Sequence, residues 1–152
     1  SGLLVFAKNE KIKKKLQDAW NDTIVERTYV ALVEGEVRKD KDTIISYLKE
    51  SKALIVHSSQ NETNEQKAIT HYEVIVRKKG TTLLKVNLET GRKNQIRVHM
   101  QDIKHPIVGD KKYGAKLNTI GRLGLHAKVL AFHHPVTGEI MRFDSKIPAK
   151  FQ

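Results

Sequence analysis

The chain reads as an α+β domain, a mainly antiparallel mixed sheet with few flanking helices. Three observations predict this. Alternating, β-branched runs outnumber segments with helical periodicity. Most of those runs are joined by short turns rather than helical crossovers. The chain has 152 residues, 39% of them apolar and 30% charged, which is enough for one sizeable core and too little for several domains. A single domain over residues 1 to 152 is therefore expected, without internal repeats.

The elements follow in order. Leu3-Leu4-Val5-Phe6-Ala7 behind Gly2 reads as a buried strand with no turn or cap before it, so a segment upstream of Ser1 is expected. From Asn9, a good N-cap residue, Ile12, Leu16 and Ala19 or Trp20 recur at helical spacing and predict a helix. Residues 27 to 37 set Tyr29, Ala31 and Val33 on one face and Val30 and Leu32 on the other, a central strand closing at Glu34-Gly35. Residues 44 to 48 and 53 to 57 are short strands, and 58 to 66 are polar enough for a mobile loop. Residues 69 to 76 and 81 to 88 predict a hairpin around Arg77-Lys78-Lys79-Gly80. Thr90-Gly91 breaks that strand. Asn94 is suited to cap a helix with Ile96, Met100 and Ile103 inward, and Pro106 ends it. A Gly- and Lys-rich loop over 104 to 122 leads to a strand at 123 to 132, a turn at Pro135-Val136-Thr137-Gly138 and a last strand at 139 to 144.

Charge and composition narrow the function. The net charge is +11, and two stretches carry it: five lysines against one glutamate in residues 8 to 15, and ten Lys or Arg against three acids in residues 85 to 128. Two basic patches on an otherwise balanced chain point to an extended polyanion, nucleic acid above all. The run Lys11, Lys13, Lys14, Lys15 also reads as the solvated face of a lysine-rich helix. With no cysteine, disulfides, thiol nucleophiles and cysteine-based zinc sites are excluded. No apolar run approaches the roughly 20 residues of a membrane span, and no signal-peptide pattern opens the chain. An intracellular, cytoplasmic protein with no membrane partner is expected.

Candidate chemistry concentrates in Thr90-Gly91-Arg92-Lys93-Asn94-Gln95-Ile96-Arg97-Val98-His99. A cation in a first helical turn opposes the macrodipole, so Arg97 there suggests an anionic partner, carboxylate or phosphate. Gly91 allows close backbone approach, and free amides at the helix start favour anions. An ordinary surface arginine beside a turn gives the same spacing. Tyr29, on a strand face with Ala31 and Val33, reads equally as a core tyrosine with its hydroxyl at the edge. Five of the seven histidines lie between residues 99 and 134, but none pair at helical metal spacing beside an acid, so no metal is expected. Walker, dinucleotide-glycine and nucleophile-elbow motifs are absent.

Six stretches in order resemble the RluA-type RNA pseudouridine synthases. Ser1-Gly2-Leu3-Leu4-Val5-Phe6-Ala7-Lys8 is similar to the tail of the family's His-Arg-Leu-Asp-x-x-Thr-Ser-Gly-Leu motif, and Arg27-Thr28-Tyr29-Val30-Ala31-Leu32-Val33-Glu34-Gly35 to its tyrosine motif. Lys67-Ala68-Ile69-Thr70-His71-Tyr72 resembles a further segment, and the stretch from Thr90 to His99 the Thr-Gly-Arg-x-His-Gln-Ile-Arg-x-His motif. His105-Pro106-Ile107-Val108-Gly109-Asp110 with Tyr113-Gly114, then Leu125-His126-Ala127 with Phe132-His133-His134-Pro135, complete the series.

The resemblance implies the catalytic-domain fold of that family and the conversion of uridine in ribosomal or transfer RNA to pseudouridine, without cofactor or metal. It implies that Tyr29 stacks near the base and assists proton removal from C5, that Arg97 pairs with the catalytic aspartate, and that Ile96 is an apolar neighbour of the pocket. Arg92, Lys93, Asn94, His99, Lys111, Lys112 and Arg122 are the expected RNA-contacting residues. Asn94 stands where the family has histidine, which leaves it able to hydrogen bond and cap. The family's aspartate belongs to the first motif and falls upstream of Ser1, so the chain is expected to be an N-terminally truncated fragment, inactive alone and monomeric. The competing readings are a non-catalytic RNA-binding module using the same patches and a histidine-metal hydrolase.

Overall fold

Seven strands form one sheet in the computed structural model, which describes residues 1 to 61 and 66 to 152. They are β1 Ile24–Glu34, β2 Lys41–Glu50, β3 Val56–Ser59, β4 Gln66–Lys78, β5 Thr81–Leu88, β6 Leu125–His133 and β7 Ile140–Asp144. Their order is β3-β2-β4-β5-β1-β6-β7, and each neighbouring pair is antiparallel. The only parallel pairing among the described residues is the isolated bridge Gly2↔Ala127. The expected hairpin closes tightly: Lys78 pairs with Thr81, and Gly80 takes the left-handed backbone (φ 82°) that such a two-residue turn needs.

β1 is buried on both faces, which is why its sequence is nearly continuous in apolar residues. Ala31 and Val33 pack with Leu84, Val86, Ile96, Met100 and Ile107, and Tyr29 lies against the same cluster. Val30 and Leu32 pack on the other side with Leu83, Val108 and Phe151. The helices are α1 Glu10–Asp18, α2 Trp20–Thr23 and α3 Gln95–Asp102, with 3₁₀ turns at Lys111–Tyr113 and Ala149–Phe151. Asn9 caps α1 as its type suggests, its side chain accepting a 2.9 Å hydrogen bond from the Ile12 amide.

Four expectations need correction. Residues 2 to 7 are not a buried strand: Leu4 is 75% and Phe6 82% exposed. Competition for an edge explains this. Ser1 and Leu3 bond to β6 at Leu125 and Ala127, but from Val129 onward that side of β6 is occupied by β7. The first helix is interrupted at Ala19, and α2 restarts at Trp20. Asn94 occupies the N-cap position of α3 but has left-handed backbone (φ 55°) and makes no side-chain cap. The 58–66 loop is shorter than expected, because Ser58 and Ser59 belong to β3 and Gln66 to β4; residues 62 to 65 lie outside the described residues.

Candidate functional site

A cleft of about 790 Å³ opens over the β5-β1-β6 part of the sheet. Tyr29, Leu88, Ala127 and Val129 line it from the strands, residues 3 to 7 with Lys13, Leu16, Gln17 and Trp20 from the segment around α1, and Arg27, Gly91 and Arg92 from the remaining side. Strand alternation brings Arg27 and Tyr29 to the same face, two residues apart. Arg27 Nη2 donates to the Glu89 carbonyl at 3.1 Å. A β-carbon on Gly91 would overlap Arg27 Nη1, so glycine at 91 makes room for the guanidinium. Burial pushes the Tyr29 phenol above its ordinary value, and the Arg27 charge opposes that rise. Burial also lowers Arg27, with the Tyr29 charge acting against the shift and Arg92 adding to it. An apolar floor carrying one aromatic ring, with guanidinium groups beside it, suits a flat base attached to an anionic backbone.

The loop bearing Gly91 and Arg92 is fixed from inside the protein. Gln95 is 2% exposed. Its Oε1 accepts from Thr90 Oγ1 (2.7 Å) and the Arg92 amide (3.0 Å), while Nε2 donates to the Ile69 carbonyl (3.0 Å) and Thr70 Oγ1 (2.8 Å). Thr70 Oγ1 also bonds His99 Nδ1 at 2.7 Å, and His99 Nε2 bonds Ser46 Oγ at 2.8 Å. Burial pulls His99 down to about 4, so its ring is neutral near pH 7. Arg92 Nε donates to the Lys67 carbonyl at 2.9 Å, which orients the side chain as well as the loop.

Arg97 has the anionic partner that its place on α3 calls for, and that partner is Asp110. Nε and Nη2 grip the two carboxylate oxygens at 2.9 and 2.8 Å. The Asp110 side chain is 1% exposed and the Arg97 side chain 24%. The bidentate bond, partly offset by burial, holds Arg97 above its ordinary value. The guanidinium lies 4.8 Å from the Tyr113 ring centre, and Asn94 joins the group by accepting from Arg97 Nη1 at 3.3 Å and donating to the Tyr113 hydroxyl at 3.2 Å.

The expected site residues therefore fall into separate groups. Tyr29 and Arg92 line the cleft. Arg97, Asn94 and Lys112 surround Tyr113, and Lys112 donates to the Leu54 carbonyl at 2.9 Å. Ile96 and His99 are buried, the first in the cluster that carries Tyr29, the second in the polar chain beneath Arg92. His99 and Ile96 thus act from the interior in this structure, because α3 turns both toward the sheet. Lys93 pairs with Glu50 at 2.5 Å, Arg122 sits 5.5 Å from the Phe151 ring centre, and Lys111 is exposed. Sequence reasoning did not single out Arg27, Gln95 or Asp110. The first had a signal, its two-residue offset from Tyr29; the partnership of Asp110 with Arg97 spans a loop and had none.

Among the described residues, no group of three or more His, Cys, Asp or Glu could hold a metal ion, and no helix is long and apolar enough to cross a membrane. The family model for RNA pseudouridylate synthase matches residues 1–102. "Uncharacterized RNA pseudouridine synthase YlyB" of Bacillus subtilis (strain 168) is 41% identical over 151 residues, covering 97% of this chain and 49% of that protein. "Ribosomal large subunit pseudouridine synthase D" of Zymomonas mobilis is 34% identical over 165 residues, covering 100% of this chain and 51% of that protein. The chain spans about half the length of the curated relatives it matches. The fold is also similar to "Human RNA Pseudouridylate Synthase Domain Containing 1", with a TM-score of 0.78 at 22% identity over 92% of this chain and 62% of that one.

Proposed function

The chain belongs to the RNA pseudouridylate synthase family, and from that premise we propose that residues 1 to 152 form the body of a catalytic domain converting uridine in ribosomal or transfer RNA to pseudouridine. The reaction breaks the N-glycosidic bond, turns the uracil in place and joins its C5 to the ribose. The C5 proton is lost and N1 gains one, so product and substrate have the same composition and the chemistry needs no cofactor. The observation that carries this reading is the cleft with Tyr29 inside it and Arg27 and Arg92 alongside.

Tyr29 provides the aromatic surface against which the detached base turns, and its neutral hydroxyl assists proton removal at C5 by orienting or relaying to the group that takes the proton, not by accepting it as a phenolate. Its raised value keeps the phenol protonated near neutral pH, so it stacks and hydrogen bonds as a neutral ring. The resemblance pairs Arg97 with the family's catalytic carboxylate; in this structure Arg97 does not line the cleft, and its Nε and Nη2 grip Asp110 instead. Arg92, Lys93, Lys111, Lys112 and Arg122 meet phosphates, which position RNA without reading its sequence. Asn94 and His99 support that contact through the α3 network, and Ile96 backs the pocket. A base that must leave its stack favours loops or bulges over continuous duplex.

The carboxylate itself belongs to the family's first motif, upstream of Ser1, so the 152 residues alone are proposed to be inactive. The test is pseudouridine formation on bulk ribosomal and transfer RNA, comparing this chain with one carrying the first motif ahead of Ser1. Reaction by the longer chain alone is the expected result. Turnover by the 152 residues would contradict the inactivity. RNA binding by both without reaction by either would favour the binding module.

A further inference from the structure

The second basic stretch supplies most of the expected RNA contacts, yet none of residues 104 to 122 lines the cleft. Part of that stretch is also engaged within the fold: Lys93 with Glu50, Arg97 with Asp110, and Lys128 with Asp144. The first stretch differs on both counts. Lys13 of α1 lines the cleft. Among the described residues, Lys8, Lys11, Lys13, Lys14 and Lys15 make no ion pair or side-chain hydrogen bond to the rest of the protein.

Helical geometry divides α1 into two faces. Residues three and four apart share a face, so Lys11, Lys14 and Lys15 form one stripe, ended by Asp18, while Lys13, Leu16 and Gln17 turn to the cleft. No residue of α1 is buried, so these lysines are not needed to cover a core. An exposed, unneutralised cationic stripe next to a cleft that suits a base is complementary to the backbone that must run from that base.

We infer that α1 is a phosphate-contacting rail for RNA: Lys11, Lys14 and Lys15 hold the backbone beside the cleft, and Lys13 meets the phosphate nearest its mouth. This rests on the proposed RNA substrate and names the surface that RNA crosses on its way to Tyr29.

The test measures binding of the 152-residue chain to a uridine-containing stem-loop RNA across a range of salt. Three proteins are compared: the unaltered chain, the triple variant Lys11→Gln/Lys14→Gln/Lys15→Gln, and a control triple Lys52→Gln/Lys79→Gln/Lys150→Gln that removes equal charge elsewhere. Each lost phosphate contact lowers the slope of log K against log salt by about 0.7 for single-stranded RNA, so the α1 triple should lower it by about 2 and the control by much less. Equal slopes for the α1 triple and the unaltered chain, or equal losses in both triples, overturn the inference while leaving the RNA substrate intact. Loss of binding to phosphatidylserine vesicles but not to RNA in the α1 triple also overturns it, assigning the stripe to membranes. No RNA binding by the unaltered chain at low salt overturns the substrate reading and the inference together.

Discussion

The two longer helices, α1 and α3, have nine and eight residues and are attached to the sheet in opposite ways. α3 buries Gln95, Ile96, Val98, His99 and Met100, and its polar members bond to β2, β4 and the loop that carries Arg92. α1 buries no residue and exposes four lysines. The difference separates two tasks beside one cleft. α3 fixes the position of groups on the sheet side, at the expense of burying polar atoms that must all be satisfied. α1 keeps its lysines exposed and is held by Ile12 and Leu16, which are only partly buried.

The contrast is broken most directly by removing one apolar side chain from each helix. Met100 is fully buried, and Met100→Ala should cost about 3 kcal/mol. Leu16→Ala should cost less, about 1 to 2 kcal/mol, because Leu16 is only partly buried. Urea denaturation of both variants gives the comparison, and equal costs would show that α1 is anchored as firmly as α3.

Acid sharpens it next. His99 titrates at about 4 in the folded protein against an ordinary 6.5, so as pH falls the unfolded chain takes up its proton first. The stability that depends on neutral His99 is complete above pH 6.5 and is lost progressively toward pH 4. Between pH 7 and pH 5 the loss should be about 2 kcal/mol. His99→Gln should flatten that part of the profile in urea denaturation at the two pH values, leaving the smaller contribution of His126, whose value burial also lowers. An unchanged profile would mean that His99 is solvated in the folded protein.

Much of this fold was legible because strand alternation and turn chemistry are local. The 78–81 hairpin, the capping by Asn9 and the two-faced burial of β1 all follow from short-range pattern. Residues 2 to 7 were misread because an apolar run does not reveal whether a sheet edge is vacant; here β7 had taken it. The site was legible in part. Tyr29 and Arg92, which the motifs singled out, both line the cleft. The pairing of Arg97 with Asp110 and the buried run Ser46, His99, Thr70, Gln95 join residues from separate elements, and no periodicity in the chain encodes such contacts.

The smallest effect on stability is expected at Gly91. Gly91→Ala forces only the flexible end of Arg27 to move, for less than about 1 kcal/mol by denaturation. Its consequence is electrostatic. As the Arg27 charge withdraws, the Tyr29 phenol should rise further, read from the pH titration of its ring-carbon NMR signal. No movement of that titration would show that Arg27 does not act on Tyr29.

The central claim is that the cleft around Tyr29 is where uridine is isomerised. It is tested most directly by pseudouridine formation on bulk ribosomal and transfer RNA, using a chain carrying the family's first motif ahead of Ser1 and its Tyr29→Ala variant. The account predicts a rate at least about 100-fold lower in the variant, with RNA binding retained. Equal rates in the two proteins would contradict it.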